Sequence, residues 1–141
     1  RSTLFPYTTL FRSRDRMRMG KKGAVVDNAG AGGIVVTVDP KTGVVTSDGI
    51  DEYYNHFDKH PGCGLTFKGW QVPRWDELLK TVEELHRTVF NKHIYVAWDF
   101  ALTDDGWVVI EGNWGQLLGQ QTASQVGVRR EFHELIGDHV K

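Results

Sequence analysis

The residue types best suited to chemistry lie close together in AWDFALTDDGWVVIEGN, residues 97–113. Asp99, Glu111 and Asn113 are all oxygen donors, and the strands that carry them flank a turn signal, Asp104-Asp105-Gly106. If those three residues form the hairpin loop, Gly106 takes the left-handed position that such loops favour. Thr103 then stands opposite Trp107, Ala101 opposite Val109, and Asp99 opposite Glu111. Side chains alternate along a strand, so Asn113 shares a face with Glu111. The other face collects Trp98, Phe100 and Leu102 against Val108 and Ile110 as a core surface. A two-residue loop would place Asp99 and Glu111 on opposite faces and separate them.

Two carboxylates opposed across a strand pair repel each other unless something positive lies between them. A divalent cation meets that need. Mg²⁺ takes hard oxygen ligands and keeps positions for water and phosphate. The residues alone leave two other readings open. The acids are solvated positions on an exposed hairpin face, or they form a glycosidase-like carboxylate pair, which gives Asn113 no role.

The elements that must position this hairpin follow from patterning. Ile34 to Val38 has the β-branched density of a buried strand, Asp39-Pro40-Lys41-Thr42-Gly43 is a turn, and Val44 to Thr46 returns as a second strand. Asp51 to Gly69 is polar, aromatic and irregular, and is expected to be a long surface connection. Pro73 opens a helix to about Phe90, with Trp75, Leu78, Leu79, Val82, Leu85, Val89 and Phe90 as one apolar stripe. Strands at Ile94 to Thr103 and Trp107 to Asn113 follow. After a Gly/Gln-rich loop from Gly115 to Gly127, a helix runs from Val128 to Val140. The fold class is therefore α+β, antiparallel hairpins with packed helices.

Composition narrows the function. With 40% hydrophobic and 25% charged residues the chain is of ordinary soluble globular type. A net charge of -1 gives no electrostatic case for nucleic acid or an anionic membrane, and no apolar run is long enough to span one. Cys63 is the single cysteine, which excludes an internal disulfide and suits a reducing cytoplasm.

Arg1 to Ser13, RSTLFPYTTLFRS, matches codon for codon the in-frame translation of a common short-read sequencing adaptor. Residues 1–13 are therefore expected to be an artefactual leader, with natural sequence, residues 14–141, beginning inside a folded domain; the alternative is an ordinary amphipathic strand with Leu4, Phe5, Tyr7, Leu10 and Phe11 as buriable positions.

The segment WDFALTDDGWVVIEGN resembles the closing metal hairpin of ATP-grasp enzymes, in which an acid on one strand precedes E-x-N on the next. The nearest likeness is to the sugar-transfer-associated ATP-grasp group and the α-L-glutamate-ligase-like proteins. Arg18 in RMG, DNAGAGG with Asp27, Asn28, Gly32 and Gly33, VDPKTG, and HPGCG with His60 follow that group's order. The likeness covers Arg16 to about Gln121, and it implies the C-terminal portion of an ATP-grasp domain.

The resemblance implies that Asp99, Glu111 and Asn113 hold Mg²⁺, with Mn²⁺ as the alternative ion, against the phosphates of ATP. Asn28, Gly32 and Gly33 would border phosphates and acceptor, where glycine lets backbone N–H groups approach an anion. Arg18 would offer a cation to the transferred phosphoryl group, and is otherwise a surface charge in the basic run MRMGKK. His60 reads either as a loop residue with satisfied hydrogen bonds or as a functional group. Cys63 stands where the group has threonine, and Trp114 where it has a small or charged residue, so no role carries over to either.

The implied activity is activation of a carboxylate as an acyl phosphate, attacked by an amine or similar nucleophile. A small-molecule carboxylate and an amine or sugar-linked acceptor would be the partners. A non-catalytic nucleotide-binding domain and an unrelated hydrolase using Asp99 and Glu111 are the alternatives. Family members contact adenine and phosphates with lysines from an earlier region that these residues do not include, so this segment alone is expected to be inactive and to bind ATP weakly.

Overall fold

A computed structural model describes residues 8–9, 15–20, 33–93, 95–113 and 125–136. Strand β3 (Ile34–Val38) forms where the β-branched run predicts it, and its residues are almost all buried. It pairs antiparallel with β2 (Asp15–Met19), in register from Asp15↔Val38 to Met19↔Ile34. Met17 and Met19 alternate into the core, which leaves Arg18 on the opposite face. With β1 (Thr8–Thr9), β4 (Gly49–Ile50) and β5 (His56–Phe57), these strands make a sheet ordered β1-β2-β3-β4-β5.

The turn after β3 has a side-chain lock. Asp39 Oδ1 accepts the backbone N–H groups of Lys41 at 2.8 Å and Thr42 at 3.0 Å. These two bonds hold its carboxyl below the ordinary carboxylate range. Gly43 closes the turn at φ 73° and lies directly beneath the ring of Trp75, whose Nε1 donates to Pro40 O at 3.1 Å. A side chain at Gly43 would meet both a disfavoured φ and the indole. Gly43→Ala is therefore expected to destabilise the chain by about 2 kcal/mol, read as a lower urea midpoint at unchanged slope. An unchanged midpoint would contradict this packing.

The return run does not form the expected strand at Val44 to Thr46. Val45 N donates to Trp70 O and Val45 O accepts from Gly69 N, so only isolated bridges, Val38↔Val45 and Val44↔Gln71, remain. The stretch from Asp51 to Gly69 also departs from a surface connection. It contains β5, and it buries His60 and, completely, Phe67. Gly49 makes room for that ring, since a Cβ there would sit 2.6 Å from Phe67 Cε2 and 2.5 Å from Ile34 Cγ2.

Helix α1 (Trp75–Thr88) follows the apolar spacing, with Asp76 and Glu77 in its first turn and His86 and Arg87 in its last. Trp75 and Leu78 are buried, and Leu79, Val82 and Leu85 pack on the core of the sheet. The helix starts two residues after Pro73. Arg74 takes a left-handed φ of 56° and spends its side chain on Glu77, Nε to Oε2 at 2.7 Å. The stripe ends differently from its pattern: Val89 is exposed, while Phe90 turns inward to meet Trp98 edge-on at 4.9 Å. Strands β6 (Ala97–Thr103) and β7 (Gly106–Asn113) form a separate hairpin, and α2 (Arg129–Ile136) follows. The arrangement is α+β, as the patterning predicts. No helix among the described residues is long and apolar enough to cross a membrane.

Candidate functional site

The β6–β7 hairpin reaches the expected pairing by an unexpected route. Its ladder begins at Thr103↔Gly106, so the loop is the two residues Asp104-Asp105. Leu102↔Trp107, Ala101↔Val108 and Phe100↔Val109 follow. Continued without interruption, that register would set Ile110 against Asp99. A bulge intervenes instead, Ile110 is skipped, and Asp99 pairs with Glu111, Trp98 with Gly112, and Ala97 with Asn113. One extra residue on β7 thus restores the opposition that a two-residue loop destroys.

The hairpin is anchored at both ends. At the tip, Trp107 Nε1 donates to Arg74 O at 2.9 Å, and Gly106, at φ 135°, lies against the Arg74–Glu77 pair. At the far end Gly112 lies opposite Trp98, and a Cβ on it would come 3.3 Å from the indole Cζ3 and 3.1 Å from Val96 Cγ1. The glycine between Glu111 and Asn113 thereby accommodates the indole. β6 is buried through Leu102, with Trp98 and Phe100 in the core. Val108, Val109 and Ile110 are exposed, which replaces the core surface expected of Val108 and Ile110. These three positions are consecutive, so both faces of this part of β7 are exposed.

Asp99 is 4% exposed, one of two polar residues buried to this degree among those described. Glu111 is exposed and Asn113 half-buried, and Asn113 Nδ2 donates to Glu111 Oε1 at 2.9 Å. Directly opposed residues of an antiparallel pair have Cβ atoms about 5 Å apart, so the register makes Asp99 and Glu111 cross-strand neighbours. Arg18 Nη2 approaches Asp99 Oδ2 at 4.0 Å, a coulombic contact rather than a hydrogen bond. It is β1 that packs along β6, and Arg18 reaches across from β2, so that the arginine joins the two acids and the amide in one polar corner.

The donor set suits a hard cation: two carboxylates of unequal burial and an amide held beside the more exposed one. Asn113 turns its N–H toward Glu111, so serving a metal would require its Oδ1 to turn inward instead. Among the described residues there is no group of three or more His, Cys, Asp or Glu side chains that could hold a metal ion.

Gly33 is buried at the start of β3, beyond the last β2–β3 pair, Met19↔Ile34, and so at the same end of that pair as Arg18. Asn28 and Gly32 lie outside the described residues. His60 shows the satisfied hydrogen bonds of a loop residue: its ring contacts Gly20 O at 3.1 Å and accepts Gly62 N–H at 3.1 Å. Cys63 is exposed and not in a disulfide. Trp70, Trp75 and Trp107 all pack on the core. The arginine–aspartate approach was not legible as a pair, because 81 positions separate the two residues and neither carries a local signal for the other.

Among curated proteins and among solved structures, none matches the chain. One family description does: that of the sugar-transfer associated ATP-grasp proteins, over residues 14–136. The match includes both β2 with Arg18 and the whole β6–β7 hairpin, and on that span the chain belongs to the sugar-transfer associated ATP-grasp family.

Proposed function

We propose that residues 14–141 are the C-terminal portion of a Mg²⁺-requiring ligase that uses ATP to activate a carboxylate as an acyl phosphate, which an amine or similar nucleophile then attacks. Family membership supports the coarser part of this reading, an ATP-dependent, ligase-like domain that binds nucleotide. The observation that carries the finer part is the bulged register, which sets Asp99 against Glu111 with Asn113 and Arg18 adjoining. Asp99, Glu111 and Asn113 would hold the divalent ion. When bound, that ion neutralises developing charge on the phosphoryl oxygens. Arg18 adds a fixed positive charge at the same corner, already oriented by the buried Asp99. Gly33, with Asn28 and Gly32, borders the phosphates and the acceptor. The acceptor is an amine or a sugar-linked group. The lone cysteine, exposed and not in a disulfide, suits a cytoplasmic setting.

The reading also takes residues 1–13 to be adaptor-derived, so the test uses the complete gene, recovered by reading upstream of Arg14. Mg²⁺-dependent conversion of ATP to ADP is assayed with pooled carboxylates and amines. Glu111→Gln is expected to lower turnover by about a hundredfold, since it removes charge from the ion's site while preserving shape. Folded protein that binds nucleotide but makes no ADP with any carboxylate would favour a non-catalytic nucleotide-binding domain.

A further inference from the structure

His60 lies in the loop HPGCG, outside the polar corner, and is 6% exposed. Its backbone is fixed on both sides: His60 N donates to Leu65 O at 2.8 Å, and Gly64 N donates to His60 O at 2.7 Å. The ring stands edge-on to the fully buried Phe67, with centroids 6.1 Å apart. Both ring nitrogens face backbone atoms whose roles are not interchangeable. Gly62 N can only donate, so Nδ1 must present its lone pair to it at 3.1 Å. Gly20 O can only accept, so Nε2 must carry the proton that faces it at 3.1 Å. The two contacts together specify a neutral ring with hydrogen on Nε2.

Gly20 is the residue at which β2 leaves the sheet. The β2–β3 ladder ends at Met19↔Ile34, and Arg18 lies two residues before Gly20. Arg18 is also the residue whose guanidinium approaches Asp99 at 4.0 Å. A contact that spans 40 positions of sequence therefore fastens the end of the strand beside this residue. We propose that His60 is a positioning residue: through the Gly20 carbonyl it fixes the end of β2 and so holds the Arg18 guanidinium in place beside Asp99. The catalytic consequence rests on the function proposed above. The positioning itself does not.

Two variants separate positioning from packing. His60→Phe keeps a ring against Phe67 but has neither hydrogen bond, whereas His60→Gln retains an N–H able to reach Gly20 O. In the 141-residue chain, long-range proton–nitrogen spectra are expected to show the Nε2–H tautomer at His60. Amide exchange at residues 18–20 is expected to rise about tenfold in His60→Phe and to return toward the parent rate in His60→Gln, with Val36 and Leu78 unchanged. The Arg18 side-chain Nε–H signal is expected to shift in His60→Phe and to recover in His60→Gln. In the complete protein, kcat is expected to fall about tenfold in His60→Phe with KM for ATP unchanged, and His60→Gln is expected to rescue it. An Nδ1–H tautomer, unaltered exchange at residues 18–20, an unmoved Arg18 signal, or a uniform rise across the core would each overturn the proposal. If the parent protein turns over no ATP, the proposed ligase function fails, while the tautomer, exchange and Arg18 measurements still decide the role of His60.

Discussion

Asp99→Asn is expected to abolish most Mg²⁺-dependent ATP turnover, by about a thousandfold, while changing folding stability by no more than about 1 kcal/mol. The two effects have different origins. Asp99 is a buried carboxylate set opposite a second carboxylate, Glu111, and only the first of the pair has Arg18 beside it. For folding, asparagine removes the repulsion across the strands and the cost of burying a charge, but gives up the attraction of Arg18. These terms oppose each other, and the side chain keeps its shape. Under the proposed function there is no such offset for catalysis, because the buried anion would be the ligand least able to be replaced by water. The measurements are ADP formation by the complete protein and the urea midpoint of the same variant. Turnover within tenfold of the parent, in protein that unfolds at the same midpoint, would remove Asp99 from the metal site.

That a buried acid is tolerated at this position depends on a feature that the residue pattern does not display. Alternation and a turn signal at Asp104-Asp105-Gly106 were enough to predict a hairpin and to oppose Asp99 to Glu111. The pairing is right, but the route is different. The loop is one residue shorter than expected, and a bulge at Ile110 supplies the missing step. A loop of three and a loop of two plus a bulge give the same pairs beyond Asp99, so the acids could not distinguish them. The residues between do not separate them either, since Val108, Val109 and Ile110 are all exposed and this part of β7 is open on both faces. Nothing local at Ile110 marks the bulge, which lies between two tertiary contacts, Gly112 against Trp98 and the tip on Arg74. Neither contact has a signature in the local residue pattern.

Helix α1 was legible for the opposite reason. Its apolar stripe and acidic first turn agree, and the helix appears within two residues of its expected ends. Phe67 and His60 were not legible as buried residues. A single aromatic in a polar run has no period, and the space it fills is created by a glycine 18 positions earlier. The pairing of Arg18 with Asp99 was similarly hidden: a resemblance could suggest a role for each, but only the tertiary structure brings them together.

That joining gives the largest expected change in stability. Arg18→Met keeps an apolar stem on the face of β2 but removes the charge, and leaves Asp99 buried opposite Glu111 without this cation. Removing one partner of a buried pair is far more costly than the pair is worth, because the remaining ion has already lost its water. Arg18 is itself largely covered, its side chain 19% exposed, so solvent does not screen the contact away. The expected loss is about 3 kcal/mol in the absence of divalent ions. Excess Mg²⁺ should then restore part of it, and more in the variant than in the parent chain, since an ion that binds only the folded state stabilises it by mass action. Urea midpoints of both proteins, with chelator and with Mg²⁺, test each half. Equal midpoints in chelator would show that the contact at 4.0 Å carries little energy. A clear loss that Mg²⁺ does not repair would mean that Asp99 and Glu111, though opposed, do not hold a divalent ion in this chain.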